Sequence, residues 1–132
     1  MSIDTRDHAR AIATAVSATN LPLYDYGKVP GADGNPGTLP DIYCLTTVER
    51  RAGLPVRRVA TTGRTGWRAT FRVVGRTVDE VRWGLKQVSD ALDSQRLTIN
   101  GVETTPIQTE SEQAPGPDEG RQSGLSSWIY TL

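Results

Sequence analysis

The stretch GWRATFRVVGRTVDEVRWGL, residues 66–85, changes its period in the middle. Through its first half apolar and polar residues alternate. Trp67, Ala69, Phe71 and Val73 share one side, and Arg68, Thr70 and Arg72 the other. That is the pattern of a strand with one buried face. Beyond Gly75 the step becomes three and four, through Val78, Val81, Leu85, Val88 and Leu92, which is an amphipathic helix. Thr77 stands three residues before Glu80, the spacing of a capping box, and Asp79 and Glu80 suit the positive end of a helix. The segment predicts a strand running straight into a helix, broken at Gly75. Burying the five stripe residues contributes on the order of 1.5–3 kcal/mol each before entropy is subtracted.

Upstream, Ala9, Ile12, Ala13 and Val16 form a narrow stripe that predicts a helix over 4–18, with Asp4 as N-cap and Asn20 near its stop. LPLYDYGKV, residues 21–29, reads as a short extended piece. The proline- and glycine-rich 30–40 segment reads as a mobile loop, long enough to carry function. DIYCLTTVE, residues 41–49, is strand-like, RRAGLP is a polar turn, and 56–62 is a further extended piece. Downstream, 96–99 reads as a strand, and Asn100-Gly101 is a strong two-residue hairpin signal. Residues 102–110 read as the extended return. SEQAPGPDEGRQSG, residues 111–124, reads as a second mobile loop, and SSWIYTL as a final strand with Trp128, Tyr130 and Leu132 on one face. The order predicts a single domain over 1–132. Its class is α+β, a mostly antiparallel twisted sheet with two helices packed on one face.

Fifteen basic and fifteen acidic residues leave no net charge. This argues against a dedicated nucleic-acid binder and gives no reason to expect a membrane partner. No apolar run approaches the roughly 20 residues of a bilayer span, and the charged N-terminus lacks the pattern of a signal peptide. Cys44 is the single cysteine and sits in the apolar IYCL, where it reads as a small buried residue. His8 is the single histidine, with no metal-ligand spacing around it, and reads as a solvated helix residue. No nucleophile elbow, P-loop or dinucleotide fingerprint is present, and Asp25, Asp33 and Asp41 are too scattered to read as a carboxylate pair. The expectation is a binding protein: not an enzyme, with no cofactor and no metal.

Arginine outnumbers lysine thirteen to two. The row Arg64, Arg68, Arg72, Arg76 admits three readings: a solvated strand face, a subunit interface that exploits the planar guanidinium, or a polyanion contact. Trp83 lies off the apolar stripe of its helix, and Trp128 lies in the last strand; each is either core or an interface anchor. The interface residues expected from the sequence are Arg64, Arg68, Arg72, Trp83, Asp33, Asn35 and Trp128.

WRATFRVVGRTVDEVRWGLKQVSDAL, residues 67–92, resembles a stretch of the tail terminator proteins of long-tailed phages, particularly those infecting actinobacteria. The succession around it is similar too. An N-terminal helix, LPLYDYGKVP, GADGNPGTLP and DIYCLTTVE precede it; LTINGVE, TTPIQTES, EQAPGPDEG and SSWIYTL follow. RRAGLP replaces a shorter turn, and the last segment stops where relatives continue. The resemblance implies a structural virion protein at the head-tail junction, assembled in the host cytoplasm. It implies a homo-hexameric ring that caps the tail tube, stops its polymerisation and joins it to a connector or stopper protein of the neck. DNA would pass through the ring without specific binding. The alternative is another head-to-tail connector, a stopper or head-completion protein. From other classes, a small enzyme would depend on His8 or Asp25, and a nucleic-acid binder would shift DNA at near-physiological salt.

Overall fold

The computed structural model describes residues 5–17, 19, 21–25, 41–50, 66–118 and 120–132. The elements run α1 (Thr5–Ser17), β1 (Leu23–Asp25), β2 (Tyr43–Arg50), β3 (Gly66–Gly75), α2 (Val78–Leu92), β4 (Thr98–Ile99), β5 (Val102–Glu103), β6 (Gln108–Asp118) and β7 (Arg121–Thr131). Five strands form one sheet in the order β1-β2-β3-β7-β6, and β4 with β5 forms a separate two-stranded ribbon. Every pairing is antiparallel except β1 with β2. The class is α+β, as the sequence predicts.

Registration explains why both helices lie on one face. Cys44 pairs with Val73 and Thr46 with Phe71. Across β3, Trp67 pairs with Tyr130, Ala69 with Trp128 and Val73 with Gly124. Directly opposed residues share a sheet face, so these side chains form one layer, and all are buried. Val81, Leu85, Val88 and Leu92 of α2 and Ile12 and Val16 of α1 close over that layer into a single core. Val78, the first residue of the predicted stripe, is only half-buried at the helix entrance.

The turn from β3 into α2 is built as the spacing predicts. Thr77 Oγ1 accepts from the Glu80 backbone N–H at 3.2 Å, and a Glu80 carboxylate oxygen accepts from the Thr77 N–H at 3.0 Å. α2 then descends close to the sheet. A Cβ added at Gly84 would stand 2.4 Å from Val73 Cγ1, so a hydrogen is the largest substituent this crossing holds. The Asn100-Gly101 turn has φ of 49° and 82°, the positive pair that a type I′ hairpin requires.

Three expectations need correction. Residues 111–124 are not a loop: β6 and β7 are each 11 residues long and pair from Gln108↔Ile129 to Asp118↔Arg121. Pro115 and Pro117 are tolerated because β6 is an edge strand, with register shifts between Thr109 and Ser111 and between Gln113 and Gly116. Gly124 and Ser126 face the core, so two of the four buried positions of β7 carry no large apolar residue to signal them. The final strand thus begins at Arg121, well before SSWIYTL. Second, His8 is not solvated; it is fully buried. Third, Trp128 is 4% exposed and belongs to the core, its indole N–H donating to Ser126 Oγ at 3.1 Å. The expected loop at 30–40 and extended piece at 56–62 lie outside the described residues.

Candidate interface surfaces

β3 presents Arg68, Thr70 and Arg72 on the sheet face away from the helices, all half-buried. Beside them β2 and β7 contribute Leu45, Leu125, Ser127 and Ile129, also half-buried. Arg68 is engaged within the chain. Its Nε and one terminal nitrogen donate to the two carboxylate oxygens of Glu110, at 2.6 and 2.8 Å, and its other terminal nitrogen donates to Glu49 at 3.3 Å. One guanidinium therefore ties β2, β3 and β6 together across β7, with planar two-point geometry on Glu110. Those hydrogen bonds hold the Arg68 pKa above even its ordinary high value. A neighbouring molecule meeting this face would encounter a largely neutralised ion cluster between apolar residues. Arg68 is therefore not a bare cation on this face.

Arg76 leaves the row altogether. It lies past the end of β3, exposed, with its guanidinium 3.0 Å from Asp41 and 3.9 Å from Glu80. Arg72 has interactions of its own within the chain. Arg64, Asp33 and Asn35 lie outside the described residues.

Trp83 is the expected interface residue that the fold leaves outward. It is 39% exposed on α2, and with Val102 it is one of two large exposed apolar residues among those described. Around it the helix surface is locally neutral: Arg82 pairs with Asp79 at 3.1 Å and Lys86 with Asp90 at 2.8 Å. Two open grooves border the helices. One of about 540 Å³ runs between α2 and β6, lined by Arg82, Leu85, Lys86, Ser89, Glu112 and Pro115 among others. The other, about 420 Å³, lies between α1 and the β4–β5 ribbon, with Ala11, Thr14, Ala15, Leu97 and Ile99 in its wall.

Among the described residues, the lining of each groove holds no histidine or cysteine and one carboxylate, Asp7 beside α1 and Glu112 beside α2. Among the described residues no three His, Cys, Asp or Glu side chains are grouped as metal ligands. Cys44 is buried, and loss of water pushes its thiol up to about 12, far from a reactive thiolate. His8 Nδ1 lies 2.8 Å from the Tyr130 hydroxyl, and the imidazole stacks on Trp67 with ring centroids 3.7 Å apart. Burial raises the Tyr130 pKa and lowers that of His8. This cluster sits beneath α1, not in a cleft. Its signal was present in the sequence: extending the Ile12–Val16 step back by four residues reaches His8. The Arg68 partners Glu49 and Glu110 had no comparable signal, because strand register is not written in local spacing. Among the described residues, no helix is long and apolar enough to cross a membrane.

No family model and no curated protein matches the chain. Nine chains of solved structures are similar to it. One of them is 17% identical and has a TM-score of 0.55, with 98% of this chain and 96% of that chain aligned. Its name states no function, and at this identity the likeness is one of fold. The whole arrangement of helices and strands, not a fragment of it, therefore recurs in another protein.

Proposed function

We propose that the chain is a structural tail terminator of a long-tailed phage. Six copies close into a ring on the tail tube, occupy the surface on which the next tube ring would stack, and present a different face to a connector or stopper protein. The observation that carries this reading is the order of elements. The path α1, β1, β2, β3, α2, ribbon, β6, β7 runs in the same order as the succession on which the resemblance rests, including the direct passage from the core strand through a capped turn into the helix, although the acidic, proline-rich loop of that succession is paired strand here. The acidic, proline-rich segment of that succession falls in the β6–β7 hairpin.

The physics of the molecule suits the role. A ring needs heterologous contacts that close on themselves. An exposed tryptophan on a charge-balanced helix surface and a half-apolar sheet face can supply contacts without a large bare hydrophobic patch on the free subunit. Absence of net charge suits a channel through which DNA slides without being held by counterion release. Labelled protein mixed with purified tail tubes and viewed by electron microscopy tests the proposal. Ring density at one end of each tube is expected. Label spread along the tube walls, or found on capsids and never on tubes, would reject it.

A further inference from the structure

α1 is fastened to the body by a short inward row. Its buried residues are His8, Ile12 and Val16, against Val81, Gly84, Leu85, Val88 and Leu92 for α2. One of α1's three anchors is thus titratable. The His8 ring is fully buried, flat against Trp67 and bonded through Nδ1 to Tyr130, while Nε2 has no hydrogen-bond partner. The tautomer that fits carries its proton on Nδ1, donates to the Tyr130 oxygen and leaves only a lone pair on Nε2. A second proton would place a charged N–H there with no acceptor for it among the described residues.

The groups facing the ring do not remove that cost. On α1 itself, Asp7 favours the cation, but its carboxylate already receives Asn100 Nδ2 at 3.0 Å and lies 3.5 Å from Arg10. From β2, the Arg50 guanidinium carbon stands 5.7 Å from the centre of the Trp67 ring and opposes another positive charge. β7 supplies the neutral Tyr130, β3 turns Arg68 to the opposite sheet face, and α2 turns an apolar stripe inward. The π face of Trp67 offers a cation some compensation. It does not match the water lost by the whole ring.

We infer that His8 is a proton-sensitive fastening of α1: a neutral ring holds the helix on the sheet, and a protonated ring makes α1 the first element to let go. The inference does not depend on the proposed function. Burial holds the folded pKa below the ordinary 6.5, with Asp7 opposing in smaller measure. Below about pH 6.5 the opened chain binds a proton that the closed chain refuses. Docking of α1 is therefore at full strength above that pH and is lost as pH falls, with a slope approaching tenfold per pH unit.

His8 is the single histidine, so one imidazole resonance reports it. Amide hydrogen exchange at pH 7.5 and 5.5, corrected to protection factors, is expected to show α1 losing up to about tenfold, the ceiling for one proton with an open-state pKa of about 6.5, while α2 holds. The closed-state imidazole signal should titrate below 6.5. His8→Phe preserves ring bulk and should remove the pH dependence; Tyr130→Phe should retain it. The inference is overturned if the imidazole titrates near 6.5 with α1 protection unchanged, or if α1 and α2 lose protection equally. It is also overturned if His8→Phe loses α1 protection as the parent does. Should His8→Phe not fold, the parent protein's imidazole and exchange data decide alone.

Discussion

At the scale of single residues, contact geometry separates side chains that look alike in the sequence. Trp128, between Ser127 and Ile129, and Trp83, between Arg82 and Gly84, are each open to either reading in the sequence, yet one is core and the other outward. Trp128→Ala should cost about 3–5 kcal/mol in urea denaturation, because it empties a packed site. Trp83→Ala should stay within about 0.5 kcal/mol of the parent. Gly84→Ala makes a sharper test of the helix crossing. Its methyl would meet Val73 Cγ1, a short branched side chain on a central strand that cannot swing clear. A loss of about 1–3 kcal/mol is expected, and a neutral result would mean that α2 rides higher on the sheet than described. The Arg68 cluster should contribute little to stability, since its side chain is one-third exposed.

Among the elements, those with a strong local period were legible and those held by tertiary partners were not. The β3–α2 unit was readable because alternation, break, cap and helical stripe follow one another without conflict. Thr77→Ala should lower stability by about 1 kcal/mol, seen as a shifted urea midpoint with an unchanged slope, because the side chain that accepts from Glu80 N–H is lost. The β6–β7 hairpin was illegible for a physical reason. Its prolines sit on an edge, its bulges break the alternation, and the first two of the four buried positions of β7, Gly124 and Ser126, carry no large apolar side chain. A Cβ at Gly124 would come within 3.1 Å of both Val81 and Leu85 side-chain atoms. Composition marked the segment as a loop; its neighbours make it a strand. Exchange protection separates the two: β7 amides over 122–126 should be protected like those of β3, whereas a mobile loop would leave them open.

For the whole molecule, the fold class followed from the order of periods, while the candidate surfaces were legible only in part. Sequence spacing placed Arg68 and Arg72 on one sheet face and Trp83 outside its helix stripe. It could not see that Glu49 and Glu110 neutralise Arg68, since those partners come from strands 19 and 42 residues away in the chain. A double change, Arg68→Glu with Arg72→Glu, should weaken ring closure or docking; unimpaired particle completion would make that face plain solvated surface. Trp83→Ala should likewise reduce tube capping by native folded protein, separating a contact role from a packing role.

The proposed role is to end a polymer by covering its growing tip. Its most direct measurement is the length distribution of tubes grown from purified tube subunits with increasing amounts of the chain, scored by electron microscopy. A mean length that falls as the chain is added, with one ring at the closed end, is the predicted result. Lengths that do not change at any ratio would contradict it.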